Sequence, residues 1–221
     1  MNKLVEKINK YIIDTKGSGE DLIEPGLSTY SISEKIMEYA HRNQTRENGE
    51  PYANHPARVE GMYRDLIGNS GCCPYVEPFT LELFNIPFEG VQEVCLLHDV
   101  VEDTELTIED LHNIFINCEQ GDYFDRFLKK PLECITHKKE VDYSDYIFEC
   151  LKDPTAAIVK MIDLQDNLFV LGLVNFDDKK YARAQDYLHW IFVINEEYHF
   201  IENIGKYKKE TKGYWLWSIS Y

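Results

Sequence analysis

The sequence predicts an all-α protein, a bundle of helices, and three observations support this prediction. Apolar residues recur at intervals of three and four over much of the chain, which is the spacing of one buried helix face. No segment alternates apolar and polar residues for long enough to require a β-sheet. Hydrophobic residues make up 44% of the 221 residues, which is enough to bury a substantial core as one domain.

Capping and proline signals indicate where the helices begin. Ser31 followed by Glu34 is typical of a capping box, and Asp153-Pro154 is typical of an N-cap followed by proline in the first helical turn. Pro56 gives the same signal directly after His55, which places that histidine at a loop-to-helix junction. The predicted helices are residues 1–16, 31–43, 56–66, 89–103, 122–135, 142–151 and 178–201, with two more that begin near residues 107 and 154.

The same patterns divide the chain into a central domain and two flanking segments. We expect residues 1–29 to form an N-terminal helix and linker, and residues 30–200 to form one helical domain. Residues 67–87 contain glycines, prolines and aromatic residues without periodicity, which indicates an irregular insertion in that domain. Residues 201–221 form a C-terminal tail that ends in aromatic residues, and we expect it to pack back on the bundle.

The charge, the apolar runs and the cysteines of the sequence indicate what surroundings and partners the protein suits. With 23 basic and 39 acidic residues the formal charge is −16, which argues against nucleic acid and membrane surfaces but leaves room for a small anion in a local pocket. No apolar run approaches the ~20 residues that cross a bilayer, and the N-terminus lacks the apolar core of a signal peptide. The six cysteines are scattered without a CxxC motif. This usage is typical of reduced thiols in a cytoplasmic protein. The sequence leaves the oligomeric state open.

One stretch places ionisable residues inside an apolar run, and the rest of the argument depends on it. The stretch is Leu96-Leu97-His98-Asp99-Val100-Val101-Glu102-Asp103-Thr104. Burying a histidine beside an aspartate is costly unless a partner or a cation neutralises the charge. A metal site would need ligands from other segments, and His55 and Asp163 are candidates. Taken one at a time, His55 is better explained as a helix cap and Asp163 as a paired structural carboxylate.

Three runs of sequence, taken together, favour a metal site over these separate structural roles. The first consists of Tyr39-Ala40-His41, Gln44-Thr45-Arg46, Gly49-Glu50-Pro51-Tyr52 and His55-Pro56. The second is residues 96–104, and the third is Val159-Lys160-Met161-Ile162-Asp163 with Asn167. In this order, over roughly residues 30–190, they resemble the motifs of the HD-domain hydrolases of the RelA/SpoT class.

The resemblance implies an HD-domain helical bundle and a stand-alone small alarmone hydrolase. Such enzymes remove the 3′-pyrophosphate from ppGpp and pppGpp with a manganese ion. Glu102 and Asp103 would position or deprotonate the attacking water. Arg46 would face the guanine, since its flat guanidinium suits stacking on a base. The implied metal ligands are His55, His98, Asp99 and Asp163, and the implied substrate-binding residues are Arg46, Asn167, Arg183 and Tyr187.

Departures from the family pattern concern the substrate more than the metal. Glu47 stands where many relatives carry a basic residue, Leu164 where a basic residue is frequent, and Asp166 where a histidine is frequent. One alternative is therefore an HD hydrolase that acts on another nucleotide, such as ppApp or NADPH. Another is a non-catalytic nucleotide-binding regulatory protein, which the pair Glu102-Asp103 argues against. We expect no synthetase activity, because the chain is too short to add a synthetase domain.

Overall fold

The computed structural model describes residues 2–17, 22–67, 81–82, 84–171 and 177–215. Helices dominate these ranges, and the only β-type pairing within them is an isolated bridge between Thr45 and Pro51. The helices are α1 (Lys3–Lys16), α2 (Thr29–Ala40), α3 (Asn54–Leu66), α4 (Val91–Leu97), α5 (Val100–Asp103), α6 (Ile108–Asn117), α7 (Gly121–Tyr123), a π-helical segment (Phe124–Leu128), α8 (Lys129–Ile135), α9 (Tyr143–Cys150), α10 (Pro154–Leu171), α11 (Asp178–Tyr198) and α12 (Phe200–Trp215). The predicted all-α fold class is confirmed.

Helix α10 lies at the centre of the bundle. It contacts α3, α4, α8, α9 and α11, and it buries apolar residues around most of its circumference, as expected of a central helix. Ile158, Val159 and Ile162 are completely buried. The helix begins as predicted at Asp153-Pro154, because Asp153 Oδ1 accepts hydrogen bonds from the backbone N–H groups of Thr155 and Ala156 at 2.9 and 3.0 Å.

The predicted start of α2 is wrong by one turn. Ser28, not Ser31, is the N-cap, and its Oγ accepts a hydrogen bond from the Ser31 backbone N–H at 3.1 Å. Ser31 is therefore inside the first turn. The sequence offers serine at both positions, and Ser28 is the residue whose extended backbone (ψ 149°) fits the cap.

The predicted helix 89–103 is not continuous. It begins at Val91 and is interrupted at His98 and Asp99, which lie in a turn between α4 and α5. The apolar periodicity runs through this turn, so it carries no sequence signal of the break. The predicted helix 178–201 is also divided, because His199 adopts a left-handed conformation (φ 53°) between α11 and α12.

Gly90 fixes where α4 begins. Its φ of 77° is left-handed, and a Cβ there would lie 2.8 Å from the Phe127 backbone oxygen in the π-helical segment. Only glycine can therefore occupy this position without displacing one of the two segments. This close approach sets α4 directly against the segment that precedes α8.

Some sequence predictions lie wholly or partly outside the described residues. Most of the 67–87 insertion does, at residues 68–80 and 83, as do residues 216–221 of the tail. Cys72 and Cys73 fall in the same insertion, whereas Cys95, Cys118, Cys134 and Cys150 are free and buried. Among the helices that the structure describes, none is both long and apolar enough to cross a membrane.

Candidate metal centre and adjoining pocket

The four residues predicted as metal ligands lie on three elements that meet at the centre of the bundle. His55 lies in the first turn of α3, His98 and Asp99 lie between α4 and α5, and Asp163 lies in the middle of α10. His55, His98 and Asp99 each offer a ligand atom within 4.8 Å of the others. Asp163 Oδ1 lies 2.9 Å from His55 Nε2 and 3.8 Å from His98 Nε2, so it borders the same space.

Both imidazoles present Nε2 to this space because their Nδ1 atoms are engaged elsewhere. The Nδ1–H of His98 donates to the Cys95 carbonyl oxygen at 2.8 Å, and that oxygen can only accept. The Nδ1–H of His55 donates to the Asp166 carboxylate at 2.7 Å. Among the described residues, the buried Nε2 of His98 has no hydrogen-bond partner, although Asp99 Oδ2 lies 3.2 Å and Asp163 Oδ1 3.8 Å from it. A buried nitrogen that makes no hydrogen bond and faces two carboxylates is suited to bind a metal ion.

The charges around the cluster favour positive charge at its centre. Burial opposes protonation of His55, but hydrogen bonds to Asp163 and Asp166 raise the pKa of its ring. Burial likewise opposes protonation of His98, whereas Asp99 and Asp163 raise its pKa well above the usual value. A divalent cation would meet the same demand for positive charge, so the donor set of two imidazoles and two carboxylates fits such an ion.

Asp163 is held from both sides on α10. Lys160 Nζ donates to its Oδ2 at 2.7 Å, and the Asn167 amide donates to its Oδ1 at 2.6 Å. Burial favours the neutral acid, but Lys160 and the two histidines keep the pKa of Asp163 well below its usual range. Because Lys160, Asp163 and Asn167 are three and four residues apart, one helix face supplies all three groups.

The predicted catalytic pair, Glu102 and Asp103, lies on α5 at the exposed rim of the cluster. The Tyr52 hydroxyl lies 2.6 Å from Asp103 Oδ2 and 2.8 Å from Asp99 Oδ2, so it links the rim to the cluster. Glu102 accepts a hydrogen bond from the His137 backbone N–H at 3.0 Å. The protein around Glu102 disfavours its charged form, and this desolvation, with the charge of Asp99, raises the pKa of its carboxyl.

An open pocket of about 380 Å³, a volume that includes the solvent at its mouth, adjoins the cluster on the side of α11. All four residues predicted to bind substrate line it, together with Glu47, Asn48, Val170 and Leu171. Arg183 and Tyr187 lie one turn apart on α11, and Arg183 forms no salt bridge within the described part of the chain. The pocket therefore combines a cation, an aromatic ring and an amide beside the metal candidates.

Arg46 lies between the pocket and the cluster. Its guanidinium donates to Asn167 Oδ1 at 2.5 Å and to Asp166 Oδ2 at 3.4 Å. The edge that faces α10 is therefore occupied. The Arg46 Cζ also lies 5.9 Å from the centre of the Tyr52 ring, within reach of a cation–π contact.

Sequence reasoning did not predict roles for Tyr52, Arg58, Lys160 and Asp166. Tyr52 and Lys160 lie inside the runs that carry the family resemblance, so the resemblance could have identified them. Asp166 was noticed only as a departure from the family pattern. Arg58 carries no signal of its own, because its partner is 108 residues away in sequence.

The chain is a helical bundle whose centre holds a cluster of two imidazoles and two carboxylates. Among solved structures it is similar to the protein described as a metazoan ortholog of SpoT that hydrolyzes ppGpp and plays a role in starvation responses. That similarity has a TM-score of 0.53 at 20% sequence identity, covering 83% of this chain and 96% of the other. No family model matches the chain.

Sequence relatives point in the same direction. The chain is 29% identical over 156 residues to the guanosine-3′,5′-bis(diphosphate) 3′-pyrophosphohydrolase MESH1 of Danio rerio, covering 68% of this chain and 73% of that protein. It is 26% identical over 164 residues to the enzyme of the same description in Vibrio cholerae, covering 73% of this chain. It spans only 20% of the Vibrio protein's length. The resemblance to the RelA/SpoT-type hydrolases, predicted from three runs of sequence, is confirmed.

Proposed function

We propose that this chain is a metal-dependent hydrolase that removes the 3′-pyrophosphate from the guanosine alarmones ppGpp and pppGpp, with manganese as its cofactor. The observation that carries the proposal is the junction of two features. A buried cluster of imidazoles and carboxylates adjoins a pocket that contains Arg46 and Arg183. Relatives with this enzymatic description support the same substrate class.

The ligands in this proposal are His55, His98, Asp99 and Asp163. Two imidazole nitrogens and two carboxylates suit manganese and other borderline or hard divalent ions. When bound, such an ion lowers the pKa of water and offsets charge on phosphate oxygens. Three of these four residues are at most 3% exposed, so the packed core holds their positions before any ion arrives.

The chain's own residues account for the proton transfer. Asp103 and Glu102 lie at the exposed rim, where a carboxylate can accept a proton from the attacking water and release it to solvent. The raised pKa of Glu102, caused by desolvation and by Asp99, brings that carboxyl closer to the range in which it exchanges protons at neutral pH. Tyr52 holds the Asp103 carboxylate toward the cluster through a hydrogen bond of 2.6 Å.

The pocket accounts for substrate binding. Arg183, which forms no salt bridge with any described residue, can meet a phosphate, and Tyr187 lies beside it on the same face of α11. Arg46 offers its guanidinium face to the guanine. Asn167 lies between pocket and cluster, because its amide nitrogen donates to Asp163 while its oxygen accepts from Arg46. A nucleotide bound here would direct its 3′-phosphates toward the metal candidates.

The test is turnover of a nucleotide panel with added manganese. We expect ppGpp to be cleaved to GDP and pyrophosphate, with slower or no release from ppApp and NADPH. A matched preparation treated with a chelator controls for the metal, and titration of manganese, magnesium and zinc into that preparation identifies the ion.

Two outcomes would replace the proposal. Cleavage of ppApp or NADPH without cleavage of ppGpp would keep the metal-dependent hydrolase and reject guanosine alarmones as its substrates. Tight nucleotide binding without any turnover would favour a regulatory binding protein. Glu47, which places negative charge in the pocket, is the feature that makes the first outcome worth testing.

A further inference from the structure

We propose that Asp166 is a positioning residue that couples the metal centre to the nucleotide pocket. This inference rests on the proposed function, since it assigns a role within the same site. Its carboxylate holds His55 on the metal side and Arg46 on the pocket side. Arg58, which is itself held by Glu50, fixes the carboxylate in place.

The contact with His55 is buried and short. The Asp166 side chain is 1% exposed, and its Oδ2 accepts the Nδ1–H of His55 at 2.7 Å. An imidazole held through Nδ1 has a fixed ring orientation and presents its Nε2 lone pair in one direction. That direction is toward Asp99 and Asp163, whose oxygens lie 3.5 and 2.9 Å from Nε2. Asp166 therefore determines how one candidate ligand faces the others.

The carboxylate is in turn held by a salt-bridge network. Arg58 donates from Nε to Asp166 Oδ1 at 2.7 Å and from Nη2 to Oδ2 at 3.0 Å. The same guanidinium donates to both carboxylate oxygens of Glu50, at 2.9 and 3.0 Å. Paired contacts of this kind fix geometry as well as charge. Asp166 is consequently a fixed acceptor, with little freedom to rotate away from His55.

The same carboxylate reaches the pocket through Arg46, whose Nη1 lies 3.4 Å from Oδ2. Arg46 and Glu50 also belong to one tight turn, since the Arg46 backbone N–H donates to the Glu50 carbonyl at 2.9 Å. The turn is therefore linked to Asp166 in two ways. Arg46 contacts it directly, and Glu50 binds Arg58, which in turn binds Asp166. A substitution at Asp166 should therefore alter both metal binding at the cluster and nucleotide binding in the pocket.

The experiment measures metal binding and catalysis separately. Manganese alone is titrated into wild type and Asp166→Asn, and the free ion is followed by electron paramagnetic resonance. We expect the Asn variant to bind manganese 10- to 100-fold more weakly, the usual scale for loss of a partner that orients a metal-binding histidine. At saturating manganese we expect its KM for ppGpp to rise, because Arg46 loses a charged acceptor. Asp186→Asn, an exposed site on α11, is the matched control.

A second variant tests the network without touching Asp166. Arg58→Gln should weaken manganese binding by a smaller factor, and Arg58→Lys should restore part of the loss. If Arg58 acts through Asp166, the double variant Arg58→Gln with Asp166→Asn should bind no more weakly than Asp166→Asn alone. Circular dichroism melting of each variant separates a loss of folding from a loss of positioning.

The outcomes also separate this inference from the proposed function. Unchanged manganese affinity in both Asp166→Asn and Arg58→Gln would overturn the positioning role, even if wild type cleaves ppGpp. Weakened affinity in both would support it, even if another nucleotide proves to be the substrate. A wild-type chain that binds no manganese would overturn both, because Asp166 would have no metal centre to serve.

Discussion

The candidate metal centre and the pocket proposed to bind the nucleotide adjoin each other, yet they are built differently. The cluster takes its side chains from α3, from α10 and from the turn between α4 and α5, and His55 and His98 are only 1% and 2% exposed. The pocket takes its side chains from the surface turn that holds Arg46 and Glu47, and from α11, where Arg183 and Tyr187 are only half-buried. In the proposed function the chemistry is therefore tied to the packing of the fold, whereas recognition would depend on side chains that can change at little cost to stability.

The largest expected effect is on the cluster itself. His98→Ala removes one candidate ligand nitrogen and should abolish both stoichiometric manganese binding and turnover, while the chain stays largely folded. The measurement is metal content after desalting, with His189→Ala as the control at an exposed site. Stoichiometric manganese in the His98→Ala variant would remove His98 from the ligand set.

The next effect separates chemistry from binding at the rim. Glu102→Gln or Asp103→Asn should retain metal and substrate but lower kcat by ~10²-fold or more, the usual scale for an acid–base group. Steady-state kinetics with a separate nucleotide titration provide the measurement, and Glu105→Gln, nearby and exposed, is the control. A change in affinity with kcat unchanged would show that the residue binds substrate instead.

A smaller effect is expected in the pocket. Arg183→Ala should weaken ppGpp binding by roughly tenfold, the scale of one charge-assisted hydrogen bond. Added salt should weaken wild-type binding more than it weakens the variant, because the variant has lost the screened attraction. Lys130→Ala removes a positive charge from an exposed position on α8 and is the control. Equal salt dependence in wild type and Arg183→Ala would contradict the phosphate contact.

The smallest effect concerns the unusual acid of the pocket. Glu47→Lys should lower KM for ppGpp by a few-fold, since a negative charge beside a polyanion is replaced by a positive one, and exposure limits the gain. Glu47→Gln, which removes the charge only, should fall between wild type and the Lys variant. If Glu47→Lys instead raised KM for ppGpp, Glu47 would be a specific contact with the base.

The sequence could predict features that depend on local patterns, but not contacts between segments that lie far apart in the chain. Helix positions follow from local periodicity, and the residues of the cluster were found because they lie in ordered runs that resemble a known family; their roles as ligands stay predictions. The break at His98 was missed because apolar spacing continues through it. The network of Asp166 was missed because His55 and Arg58 lie 111 and 108 residues away from it in sequence. Contacts between distant segments have no local pattern to reveal them.

The geometry of the candidate metal centre depends on Gly90, which is eight residues before His98. Helix α4 begins beside Gly90, and His98 follows eight residues later, which makes a lever arm of about 12 Å at the helical rise per residue. A methyl group at Gly90 would collide with the Phe127 backbone oxygen and tilt the helix about its first turn. A tilt of about 5° would displace the far end by about 1 Å, twice the tolerance of roughly 0.5 Å that a metal or catalytic constellation allows. The absence of a side chain at Gly90, where α4 begins, thus helps to fix the position of the His98 imidazole beyond its other end.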